Sequence, residues 1–166
     1  MIKKKFLTIF IFTIIITLII NEACSYTSSK ASDYYKNIYD CTVGIFKSED
    51  TLIGAITDIR NIQSRQYIAD KYIPDTNINM NIYINNIDKL YESFLFSIDS
   101  SKIALKKLNE FNGDKLLKNG ALELNICYKN ITEKYYKRII DIIKLPPEDY
   151  TVEDDTRFQD ISDTIN

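Results

Sequence analysis

The chain has 166 residues, with 21 lysines and arginines against 23 aspartates and glutamates, and it contains neither histidine nor tryptophan. The missing imidazole removes His-based acid–base catalysis, Ser-His and Cys-His nucleophile pairs, and nearly all zinc, haem and helical di-iron sites. Only four glycines occur, none in a phosphate-binding loop, and no cofactor is indicated.

The N-terminus opens Met1-Ile2-Lys3-Lys4-Lys5, and the run from Phe6 to Ile20 is apolar except for three threonines. A basic segment followed by an apolar one is the layout of a secretory signal. Fifteen helical residues rise about 22 Å, short of the roughly 30 Å hydrocarbon core, which argues against an uncleaved anchor. Asn21-Glu22-Ala23-Cys24-Ser25 follows directly. A small residue before a cysteine at this point resembles a bacterial lipobox, in which the cysteine is acylated and becomes the first mature residue. Asn21 stands where an aliphatic residue is usual, and Glu22 also departs from the pattern. The competing reading is ordinary cleavage near Ala23. The expected organisation is a signal peptide over 1–23, a flexible serine-rich tether over 24–31 and a folded domain over 32–166.

Removing residues 1–23 takes away three lysines and Glu22, leaving 18 basic against 22 acidic groups and a net charge near −4. No basic stretch stands out, so nucleic acid is not an expected partner. The roughly 140 residues that remain suffice for one domain with a real core.

Helical periodicity appears in four places. The first covers 32–62, with Tyr35, Ile38, Ile45, Leu52, Ile56 and Ile59 on one face and Thr42 and Glu49 at the intervening positions. Ser32 is its expected cap. The pattern fades over 61–75, which holds Pro74 and predicts a loop. Next come Met80, Ile84, Ile87, Tyr91, Phe94, Ile98, Ser101, Leu105 and Leu108, a sustained heptad capped by Asp75 or Thr76. Phe111-Asn112-Gly113-Asp114 closes it, with Gly113 suited to a left-handed position and Asp114 to the next cap. The third helix carries Leu117, Ala121, Leu124, Tyr128, Ile131, Tyr135, Ile139 and Ile142, and Pro146-Pro147 ends it. Thr151-Val152-Glu153-Asp154 reads as a cap with a carboxylate three residues on, before a short helix with Val152, Phe158, Ile161 and Ile165 on its apolar face. Short connections pack successive helices antiparallel. The expected fold is all-α: an elongated antiparallel three-helix bundle with a short fourth C-terminal helix.

Residues able to carry chemistry are few. With Cys24 lipidated, Cys41 and Cys127 remain as a pair in an oxidising compartment. They lie about nine and thirteen residues into helices that run parallel, so their heights differ by about 6 Å, and a disulfide is geometrically open. Its long loop would be worth roughly 3–5 kcal/mol in the chain-entropy model. The equal alternative is two free cysteines buried as small hydrophobes. The acidic run Glu148-Asp149-Tyr150-Thr151-Val152-Glu153-Asp154-Asp155 lacks EF-hand spacing, and carboxylates belong at a helix start for dipole reasons. No catalytic residue and no metal ligand is assigned.

The segments Phe111-Asn112-Gly113-Asp114-Lys115-Leu116-Leu117-Lys118-Asn119-Gly120-Ala121-Leu122, Tyr128-Lys129-Asn130-Ile131 and Tyr135-Tyr136-Lys137-Arg138-Ile139-Ile140 resemble a family of helical bacterial surface lipoproteins from spirochaetes and relatives of the Bacteroidetes. The shared features are an aromatic-x-Gly-Asp turn between two long helices and a Tyr-Lys-x-Ile helix, over roughly residues 80–150. The family has no assigned activity. The resemblance implies an extracytoplasmic, lipid-anchored helical domain.

The expected function is therefore a lipid-anchored cell-envelope protein that binds or scaffolds and is not an enzyme. Its expected partners are the membrane, through the N-terminal lipid, and a protein at the cell surface. The competing reading is a periplasmic or secreted helical carrier of a small apolar ligand, which rests on the aliphatic faces and on the polar gaps at Thr42, Glu49 and Ser101.

Overall fold

The computed structural model describes the backbone of residues 2–68, 71–72, 79–113, 115–146 and 149–165, and the side chains of 28–64, 79–113, 115–146 and 149–165. The fold is all-α. Helix α1 spans Ile2–Gln66, α2 Met80–Lys107 and α3 Leu116–Ile131. A π-helical turn, Thr132–Tyr136, joins α3 to α4 (Lys137–Ile143), and α5 spans Val152–Ile165.

α1 begins far upstream of the expected cap at Ser32, and residues 24–31, expected as a tether, are helical within it. No glycine or proline lies between Ile2 and Gly44 to stop the helix. The side chains of residues 1–27, Cys24 included, lie outside the described residues. At the other end α1 runs past Ile62 to Gln66, and the expected loop holds a two-residue antiparallel ladder, β1 (Tyr67–Ile68) with β2 (Lys71–Tyr72).

α2 starts one turn later than Asp75 or Thr76, which lie outside the described residues. Asn79 is the cap, and its side chain accepts from the Asn81 amide at 3.2 Å. The turn after α2 places Asn112 and Gly113 at φ 51° and 77°, the left-handed region where a glycine carries no Cβ penalty. Lys115 precedes α3 without a side-chain cap. The expected cap Asp114 lies outside the described residues. At α5 the capping box forms as read from sequence. Thr151 Oγ1 accepts from the Asp154 amide at 3.2 Å, and Asp154 Oδ2 accepts from the Thr151 amide at 3.0 Å and its hydroxyl at 2.6 Å.

Cross-helix contacts set the directions. Near the start of the bundle Ile38 packs with Leu105 and Ala121, and Tyr34 stacks on Phe111. Midway, Phe46 meets Tyr128, and Phe94 meets Tyr128 and Tyr136. At the far end Gln63 donates to the Ile143 carbonyl, and Lys144 pairs with Asp88. α2 is therefore antiparallel to α1, and α3–α4 returns parallel to it. α5 folds back against the far end.

The core follows the heptad closely on α1 and α2. Ile38, Thr42, Ile45, Leu52, Ile56 and Ile59 are buried from α1, and Ile87, Phe94, Ile98, Ser101 and Leu105 from α2. At the ends it departs. Tyr35 is 62% exposed, and its neighbour Tyr34 turns inward to stack on Phe111. Val152 is exposed, while Ile161 takes the central core position of α5.

Candidate functional site

The third helix shows where sequence periodicity and packing part company. The expected face put Leu117, Leu124 and Tyr135 in the core. The buried residues are Ala121, Asn125, Thr132, Tyr136, Ile139, Ile140, Ile142 and Ile143, and Leu117 and Leu124 are each 40% exposed. Two features shift the face. Asn125 donates from Nδ2 to the Ile98 carbonyl of α2 at 2.9 Å, fixing α3 with that side inward. The amide of Lys137 then bonds to the Thr132 carbonyl, five residues back, so the chain takes one extra residue in that turn. Tyr136, not Tyr135, therefore points into the bundle.

The inward turn assembles a polar group in an aromatic wall. Tyr136 is 2% exposed, and its hydroxyl donates to Glu49 Oε1 of α1 at 2.8 Å. The Glu49 carboxylate also lies close to Tyr128, and Phe46 and Phe94 stand edge-on to the Tyr128 ring. Burial, then the Glu49 charge and hydrogen bond, push the Tyr128 hydroxyl up to about 12. Burial and Glu49 push the Tyr136 hydroxyl up as well. Both phenols are therefore neutral at physiological pH. Thr132 spends its hydroxyl on the Tyr128 carbonyl at 2.7 Å. This is a structural hydrogen-bond group across α1 and the α3–α4 joint. Glu49 was legible as a polar break in the α1 heptad and Tyr128 as a member of the third helix face; Tyr136 was hidden by the one-residue insertion.

A second cluster closes the far end. Arg60 donates from Nη1 to the Tyr150 hydroxyl at 2.7 Å and pairs through Nη2 with Asp155. Its guanidinium lies 4.7 Å from the Phe158 ring centroid and 5.3 Å from that of Tyr150. Burial raises the Tyr150 hydroxyl to about 12 against the opposing pull of Arg60. Asp154 is buried in the capping box, held below the usual carboxylate range first by the Thr151 side chain and then by the Thr151 amide. The two C-terminal carboxylates of the acidic run thus have internal partners, and Glu148 lies outside the described residues. No cluster of three metal-ligating side chains exists among the described residues.

Cys41 and Cys127 are free thiols, not joined to each other. Cys41 is half-buried against Ile38, Leu105 and Ala121, and burial with nearby Asp40 raises its thiol. Cys127 is exposed. The pairing expectation took height alone. The rotation that brings Asn125 inward carries Cys127, two residues on, to the outside.

A shallow groove of about 380 Å³ sits at the near end, where Lys30, Asp33 and Asn37 of α1 face Lys107, Asn109 and Glu110. It mixes both charges and holds no convergent set of reactive groups. The sequence matches no protein-family model, and no curated protein and no solved structure matches it.

Proposed function

We propose that the chain is a lipid-anchored protein of the bacterial cell envelope, acting by binding or scaffolding and not by catalysis. The observation that carries this reading is the order of the first twenty-five residues: three lysines, a fifteen-residue apolar run, then Ala23-Cys24. The segment is too short to favour a permanent span and ends on the residue a lipoprotein peptidase would use. No helix among the described residues is long and apolar enough to cross a membrane, so attachment in this reading falls to the N-terminus. Multiple acyl chains on Cys24 would hold the protein far more firmly than one.

The non-catalytic part rests on where the polar groups are spent. Glu49, Asp154 and Arg60 each face an internal partner. The resemblance to helical surface lipoproteins points the same way.

Intact mass of the N-terminal peptide, from protein expressed in its own host, tests the anchor. A diacyl- or triacylglyceryl adduct on Cys24 is the expected result. An unmodified N-terminus beginning after Ala23 overturns it.

A further inference from the structure

Two stripes of exposed or half-buried side chains flank the groove between α1 and α3, on the side of the bundle away from α2. On α1, Tyr35, Tyr39, Phe46 and Ile53 fall within about 40° of one another at 100° per residue. Phe46 meets Tyr128 across the groove, which places this stripe beside α3. On α3, Leu117, Leu124 and Cys127 share a face with Gly120. The opposite flank of α3 holds Lys118 and Lys129, which reach α2. The leucine stripe therefore faces α1. Tyr39 is 51% and Ile53 42% exposed, and open space lies where a Cβ on Gly120 would project. The residues of the two stripes are themselves uncharged, and the exposed carboxylate of Asp50, near enough to act on Tyr128 and Tyr136, borders the α1 stripe.

The size of the patch is informative. An aromatic side chain carries about 150–250 Å², so these exposures make an apolar surface on the order of 500 Å². That is near the upper end, roughly 600 Å², of what an ordinary monomer shows. A standard interface takes about 800 Å² from each partner, roughly 60% of it apolar. The patch matches the apolar share of one such face.

We infer that the α1–α3 groove is covered by the same groove of a second copy of this chain, the two bundles lying side by side and parallel about a two-fold axis. The heptad step from Tyr39 to Phe46 to Ile53, and from Leu117 to Leu124, is the spacing a packed helix requires. A two-fold axis makes one patch self-complementary, so no second kind of surface is needed. The parallel sense rests on the proposed anchor: copies held in one leaflet share an orientation, and confinement raises their effective concentration.

Cys127 lies in the patch and reports on it. In the full chain carrying Cys41→Ser, on membranes of its own host, a short bismaleimide is expected to join Cys127 to Cys127. Tyr39→Cys in a chain that also carries Cys41→Ser and Cys127→Ser is expected to join to itself as well, as the parallel arrangement requires. Leu124→Asp should lower the crosslinked fraction about tenfold or more, because an unpaired carboxylate in an interface core costs over a decade of affinity. Phe96→Asp, on the outer face of α2, should leave it unchanged. Absence of crosslinking in the membrane-bound chain overturns the inference, as does crosslinking that survives Leu124→Asp. Fractionation of the same cells reads the anchor separately. A soluble chain that still crosslinks in a Leu124-dependent way refutes the anchor and supports the groove.

Discussion

Tyr136 concentrates the energetics of the bundle's middle in one hydroxyl. Its O–H supplies a hydrogen bond to a partly enclosed carboxylate, and bonds to charged groups are worth about 1.5–3 kcal/mol. Tyr136→Phe keeps the ring against Phe94 and leaves Glu49 without that donor. It is expected to lower unfolding free energy by roughly 1–3 kcal/mol in denaturant titration. Glu49→Gln should lose less, since the amide oxygen still accepts from a phenol. The same group sets an alkaline limit. Tyr128 and Tyr136 have folded pKa values raised above the ordinary tyrosine value near 10. Their contribution is complete below that value and is lost as pH climbs through the folded one. Stability should be level up to about pH 9.5 and fall between about pH 10 and 12. Tyrosinate absorbance should show Tyr128 titrating near 12, by difference from Tyr128→Phe. A titration at the ordinary value would mean that the hydroxyl is neither buried nor faced by Glu49.

At the scale of elements, the π turn is the feature with a consequence. A π turn is one residue inserted into an α-helix, and it rotates the downstream residues by about 100° relative to an unbroken helix. Lys134 is exposed within it. Deleting Lys134 restores an ordinary turn and leaves the flanking faces in register, so the variant should remain helical and unfold cooperatively. Deleting exposed Ser93 from the regular α2 should instead abolish cooperative folding, because half of the heptad then turns away from the core. Circular dichroism melts of the two variants decide the matter. The first, second and fourth helical patterns were legible because each has one unbroken period. The third was legible only in part: Ala121, Ile139 and Ile142 are buried where the pattern put them, but Asn125 and Thr132 are buried polar residues that no hydrophobic count would choose.

Across the whole molecule, one core cluster joins all three long helices and reaches α5 through Ile161. Phe94 is fully buried at its centre, against Tyr128 and Tyr136. Phe94→Ala is expected to cost about 3–5 kcal/mol in a single transition. Arg60→Ala acts differently, since it removes the ties to Tyr150 and Asp155 at the far end. Hydrogen exchange should then quicken in α5 while α1 and α2 keep their protection; uniform loss would show that α5 is not a separable unit. The sequence by itself determined the helix class, the core faces of α1 and α2, the Gly113 turn and the Thr151–Asp154 cap. These arise from periodicity and local hydrogen bonding, which act within a few residues. Only the tertiary structure decided that Tyr136 meets Glu49, that Cys127 faces outward and that Leu117 and Leu124 are left uncovered. Each depends on the rotation of α3 about its own axis. That rotation is set by Asn125 gripping a carbonyl 27 residues away and by one inserted residue, and neither leaves a mark in the spacing of apolar side chains.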